Sequence, residues 1–103
     1  MNILNQFFTD TVNSNLQLLI SEGAFLVDVR TPEEFKGGNV KGSTNIPLDL
    51  ISYQLDQFKG KENIIVFCRS GNRSGQAKVI LEQNGIANVI NGGTWDQVSS
   101  FVK

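Results

Sequence analysis

The 103-residue chain contains no histidine, and this one absence closes several chemical routes. Without an imidazole there is no Cys–His nucleophile pair, no ordinary general base near neutrality, and no member of the commonest zinc-ligand type. Cysteine occurs once, at Cys68, so neither an internal disulfide nor a multi-cysteine metal site can form. A free thiol of this kind suits a reducing compartment. Charge of one sign is also missing: nine Lys+Arg stand against ten Asp+Glu, for a net charge of −1. No overall field therefore draws the chain to nucleic acid or anionic lipid, and any anion site has to be built locally. No apolar run approaches the ~18 residues of a membrane span. The first eight residues also lack the basic-then-apolar order of a secretory leader. The expectation is a cytoplasmic protein with no metal, nucleic-acid or membrane partner.

What remains is ordinary for a folded protein: 40% hydrophobic and 18% charged residues. The length suits one domain over residues 1–103, with a core that needs no staples. Short apolar runs alternate with helix-like segments, which predicts an α/β fold: a central parallel sheet of four to five strands with helices on both faces. Ser14 is placed to cap a first helix in which Leu16, Leu19 and Ile20 share a face, and Gly23 stops it. Residues 25–29 (FLVDV) read as a buried strand. Thr31, Pro32 and Glu34 then take the N-cap, N1 and N3 positions of a capping box, and Gly37 and Gly38 end that short helix. Asn45, Ile46 and Pro47 predict a brief strand. Leu48, Ile51, Leu55 and Phe58 predict an amphipathic helix ending at Gly60. Residues 64–67 (IIVF) predict a central strand buried on both faces. Ala77, Ile80 and Leu81 mark the next helix, with Gly85 just beyond its end. Residues 88–90 give a last short strand, and Trp95, Val98 and Val102 a closing helix. A fifth strand is placed near Ile3 and Leu4.

Chemistry concentrates where the apolar strand meets the segment Cys68-Arg69-Ser70-Gly71-Asn72-Arg73-Ser74. In open α/β sheets, ligand sites gather at the carboxyl ends of strands. A loop that curls into a helix N-terminus can aim backbone N–H groups inward and form an anion cradle. Gly71 permits the curl, and Arg69 and Arg73 add positive charge. Each of these favours thiolate over thiol at Cys68. The bland alternative is a buried structural cysteine; the strand-end position, the two arginines and the glycine turn weigh against it.

This loop resembles the active-site loop of single-domain rhodaneses. The resemblance extends to Leu26-Val27-Asp28-Val29-Arg30-Thr31-Pro32-Glu33-Glu34-Phe35, to Gly42-Ser43-Thr44-Asn45-Ile46-Pro47, and to Asn91-Gly92-Gly93 followed by Trp95. It implies a three-layer rhodanese-like domain and a thiosulfate sulfurtransferase that uses no cofactor. Cys68 would take sulfur from thiosulfate or another sulfane donor as a persulfide. Cyanide, a small thiol or a thioredoxin-like acceptor would then remove it. The amides of residues 69–73 would surround the sulfur, Arg69 and Arg73 would attract the donor, and Ser70, Gly71, Asn72 and Ser74 would complete the donor site. Two departures stand out: Gly38-Asn39-Val40 replaces the family's usual Gly-His-Ile, and Trp95 follows the two glycines early, so the last helix is expected to be displaced.

Other residues carry plainer expectations. Asp28 and Arg30 read as a buried hydrogen-bonded pair supporting the site rather than reacting. Ser74 either donates to a bound sulfur or oxyanion or caps the helix. Glu33 and Glu34 are helix N-terminal charges. Trp95 is core rather than a substrate platform, and Lys36, Lys41, Lys59 and Lys61 are solvated surface. Three rival functions stay open: a persulfide carrier serving a partner protein, a cysteine phosphatase or arsenate reductase, and a non-catalytic binding module. Phosphatase loops hold one residue more between Cys and Arg than the four that separate Cys68 from Arg73. An intact Cys68 speaks against the binding module.

Overall fold

In the computed structural model, which describes residues 15–103, Ile64–Cys68 forms a strand with every side chain buried. Its period-two alternation divides the core. Ile64, Val66 and Cys68 point to one face of the sheet, and Ile65 and Phe67 point to the other. Burying each such aliphatic side chain contributes roughly 1.5–3 kcal/mol. The same parity fixes the direction of the thiol.

The strands are β1 (Phe25–Asp28), β2 (Thr44–Asn45), β3 (Ile64–Cys68) and β4 (Val89–Thr94). They form one sheet in the order β2-β1-β3-β4, and every pairing is parallel. The helices are α1, whose described part runs over residues 15–21, α2 (Pro32–Lys36), α3 (Asn72–Gln83) and α4 (Trp95–Phe101). Ala77 and Leu81 of α3 pack with Ile51 and Phe58 on the thiol face. Leu16 and Val98, from α1 and α4, cover the opposite face with Leu26, Ile65 and Phe67. This is the predicted α/β arrangement of a parallel sheet with helices on both faces. Ser14 and the strand placed near Ile3 and Leu4 lie outside the described residues. None of the described helices is long and apolar enough to cross a membrane.

Local signals held where they involved neighbours in sequence. Thr31 caps α2 and its side chain accepts from the Glu34 N–H; the Glu34 carboxylate accepts in return from the Thr31 N–H, and Pro32 opens the helix. Gly23 and Gly85 take φ of 89° and 85° after α1 and α3, the left-handed turn that suits glycine.

Three elements differ from expectation. The segment from Leu48 to Phe58 forms two 3-10 turns, Leu48–Tyr53 and Leu55–Gln57, instead of one α-helix. Gln54, at φ −128° and ψ 32°, interrupts it. The apolar residues 48/51 and 55/58 are three apart, which suits three residues per turn. Strand β2 ends at Asn45, ahead of Ile46 and Pro47, because Pro47 lacks a ladder N–H and leads into the first 3-10 turn. Strand β4 begins one residue later than expected and runs on through Gly92 and Gly93 to Thr94. Val66 pairs with Asn91 but Phe67 pairs with Gly93, so Gly92 is the extra residue of a bulge. A Cβ at Gly92 would lie 2.8 Å from Ile65 Cγ2 and 3.0 Å from Val98 Cγ2. The glycine is there because the sheet and α4 approach too closely for a side chain.

Candidate active site

Cys68 closes β3, and its parity with Ile64 and Val66 turns the thiol toward the N-terminus of α3. The chain reverses at once through Arg69 and Ser70 to Gly71, which caps α3 at φ 95° and ψ −10°. Only glycine adopts that backbone without strain. The turn brings the Gly71 N–H to 3.0 Å from Cys68 Sγ. Ser74, one turn into the helix and fully buried, places Oγ 3.4 Å from Sγ.

Cys68 has 0% exposure, and burial alone would fit a structural thiol. Its surroundings do not. Burial pushes the thiol up, but hydrogen bonds from the Ser74 side chain and from the Ser74, Ser70 and Gly71 amides outweigh it. The net result lies below the ordinary 9.0. The sequence credited the loop amides, the helix N-terminus and the two arginines together; hydrogen bonds lead among these.

Arg73 is held by Glu34. Its Nη1 donates to Glu34 Oε1 at 2.6 Å and its Nη2 to Glu34 Oε2 at 3.0 Å. This bidentate pair, assisted by the Thr31 N–H and hydroxyl, lowers the Glu34 carboxyl to about 2. Glu34 raises Arg73 in turn, and the negative charge of Cys68 adds to that rise. Glu34 thus completes a capping box and holds an arginine of the Cys68 loop with one carboxylate. Sequence reasoning took it as the N3 residue of a capping box and a helix N-terminal charge, with no tie to Arg73. Arg69, Ser70 and Asn72 are exposed at the rim. Among the described residues no carboxylate pairs with Arg69.

Asp28 and Arg30 form a buried pair at the end of β1. Arg30 Nη2 lies 2.6 Å from Asp28 Oδ2, and the same nitrogen donates to the Gly38 carbonyl at 2.7 Å. The Arg30 guanidinium also lies 4.5 Å from the centre of the Trp95 ring, a cation–π contact. Trp95 packs against the Ile65–Phe67 side of the core. Asn39 is exposed and donates to the Phe35 carbonyl at 3.0 Å, tying off the end of α2.

Asn91 was noticed in the sequence only as part of a motif. Its Oδ1 accepts from Ser74 Oγ at 2.7 Å and its Nδ2 donates to the Gly71 carbonyl at 3.1 Å. A polar residue inside an apolar strand, just before two glycines, was the available signal. Among the described residues no group of three His, Cys, Asp or Glu side chains gathers at metal-binding distance.

Comparison with known proteins converges on one family. Residues 11–95 match the model of the rhodanese-like domain. A sulfurtransferase of Allochromatium vinosum is 33% identical over 82 residues, covering 80% of this chain and 77% of the relative. The thiosulfate sulfurtransferase PspE of Escherichia coli is 38% identical over 69 residues, covering 65% of this chain and 66% of its own length. Among solved structures, a rhodanese with anions from E. coli is 34% identical. It superposes with a TM-score of 0.66 over 73% of this chain and 91% of that one.

Proposed function

This chain belongs to the rhodanese-like domain family, and we propose that it is a sulfurtransferase in which Cys68 carries sulfur as a persulfide. The observation that supports this most is the Gly71 N–H, 3.0 Å from Sγ, in a loop whose hydrogen bonds hold the buried thiol below its ordinary value. Such a loop stabilises a single anionic sulfur atom at the helix N-terminus.

The Cys68 thiolate attacks the outer sulfur of thiosulfate. A new Sγ–S bond forms as the donor S–S bond breaks, and sulfite leaves with the bonding pair. Cyanide or an acceptor thiolate then attacks the outer sulfur. Thiocyanate or the acceptor persulfide departs, and the electron pair returns to Sγ. With one cysteine in the chain, any second thiol comes from the acceptor, a small thiol or a thioredoxin-like protein. Cys68 has no exposed surface at rest, so the atoms around the thiol have to part for the donor. The persulfide then extends the sulfur outward by one S–S bond, about 2 Å.

The placement of Arg73 weighs against phosphatase or arsenate-reductase chemistry. Holding a tetrahedral oxyanion calls for a guanidinium fork on its oxygens. Both Arg73 Nη atoms are engaged by Glu34.

Incubation with thiosulfate and cyanide tests the reading by the appearance of thiocyanate, with Cys68→Ser as the control. Thiocyanate from the native protein alone supports it. Hydrolysis of an aryl phosphate through Cys68, with no persulfide from thiosulfate or any other sulfane donor, overturns it.

A further inference from the structure

The Gly71 N–H lies 3.0 Å from Cys68 Sγ and Ser74 Oγ lies 3.4 Å from it, and a single side chain on another element bonds both residues. Asn91 of β4 accepts from Ser74 Oγ at 2.7 Å and donates to the Gly71 carbonyl at 3.1 Å. Its Oδ1 also accepts from its own strand, from the Gly93 N–H at 3.0 Å. These three bonds require an acceptor and a donor on one short arm. Aspartate could not donate to Gly71, and serine could not span both groups. The bulge explains the reach. The extra residue at Gly92 bends β4 where it meets the loop, the usual way a sheet redirects a side chain beside a site.

We infer that Asn91 is a positioning residue of the sulfur-transfer site: its Nδ2 on the Gly71 carbonyl holds the Gly71 amide against Cys68, and its Oδ1 fixes Ser74 Oγ beside the sulfur by accepting the one Ser74 hydroxyl proton. The inference rests on the sulfurtransferase reading above. Asn91 itself makes no bond to sulfur; it acts through the Gly71 N–H, and it shares the single Ser74 hydroxyl proton with the sulfur, since that proton can rest on Asn91 Oδ1 or turn to Sγ.

The physical need follows from burial. A sulfur anion at 0% exposure has no solvent to stabilise it, so its charge depends on hydrogen bonds held at short range. The charged groups around it are Arg69 of the loop, Arg73 of α3 with Glu34 of α2, and the Asp28–Arg30 pair at the end of β1. Strand β4, VINGGT, brings none, so a change at position 91 to a neutral residue alters the hydrogen bonds and leaves the charges alone.

The test is the rate of Cys68 alkylation by iodoacetamide in the full chain, followed across about pH 5 to 9. Native protein, Asn91→Ala, Ser74→Ala and the double variant are compared, with thermal melts alongside. The midpoint in Asn91→Ala is expected to rise by about one pH unit, the scale of one lost hydrogen bond to a charged group. The double variant is expected to move more than the sum of the two singles, because loss of Asn91 frees the Ser74 hydroxyl to turn to the sulfur and Ser74→Ala removes that compensation. Asn91 is half-buried; should the alanine variant fail to fold, Asn91→Ser must show the same upward shift. An unchanged midpoint with a lowered melting temperature overturns the inference and leaves Asn91 a packing residue. Fully additive shifts overturn it as well. Alkylation needs no sulfur donor, so the two readings fail separately. A shifted midpoint in a protein that forms no persulfide refutes the activity, and an unshifted midpoint in an active enzyme refutes only the role of Asn91.

Discussion

Arg73 at the start of α3 grips Glu34 of α2 with both Nη nitrogens, across 39 positions of sequence. The pair joins the two helices that follow β1 and β3, and so ties the thiol loop to the neighbouring loop. The two loop arginines differ: Arg73 is held by Glu34, and Arg69 is exposed with no carboxylate partner among the described residues.

Stability should carry the signature of this pair. The Glu34 carboxyl sits at about 2 against an ordinary 4.5, so folding favours its ionised form. That contribution is complete above pH 4.5 and is lost as pH falls toward 2. The side chains are 32% and 29% exposed, so screening reduces the effect to about 1–2 kcal/mol. Glu34→Gln should be less stable than native by that amount in urea at neutral pH. The gap should narrow as the titration is carried to about pH 3; a constant gap would show that the ionised carboxylate is not its source.

Donor capture should depend on Arg69 more than on turnover. Arg69→Ala is expected to raise the thiosulfate KM about two- to fivefold with kcat retained, the scale of an exposed charge contact. Added salt should shrink the difference between native and variant. Steady-state kinetics at two ionic strengths check this. An equal loss in kcat would place Arg69 in the chemical step instead.

The buried Asp28–Arg30 pair should matter most to folding. Arg30→Met leaves the Asp28 carboxylate buried without its partner, which destabilises by about 3–5 kcal/mol. Urea midpoints should therefore fall further for Arg30→Met than for Glu34→Gln.

Gly92→Ala tests the bulge. The new Cβ meets Ile65 and Val98 at 2.8 and 3.0 Å, an overpacking that destabilises by about 1–3 kcal/mol. Gly85→Ala is a useful contrast. A Cβ there meets nothing within 4 Å, and only its φ of +85° opposes the change.

What could be read in the sequence was what neighbours decide. The Thr31–Glu34 capping box, the two-sided burial of residues 64–67 and the strand-end position of Cys68 all follow from residues a few positions apart. Pairings between distant segments were not legible in that way. The Arg73–Glu34 bond needs β1 and β3 side by side, which no local spacing reveals. Two motifs, each following a strand and carrying opposite charges, were the only hint. The role of Asn91 depends on the extra residue at Gly92, and a bulge arises from strand register rather than composition. The same holds for the 3-10 turns. Their apolar spacing was visible, but the break at Gln54 belongs to how Ile51 and Phe58 pack against the core.

The most direct measurement is the intact mass of the protein after thiosulfate treatment, with the modified peptide mapped and the sample then exposed to cyanide. Sulfur carriage by Cys68 predicts a gain of about 32 Da confined to the Cys68 peptide, absent from Cys68→Ser and removed by cyanide as thiocyanate forms. An unmodified Cys68, under conditions where thiosulfate is nevertheless consumed, would contradict it.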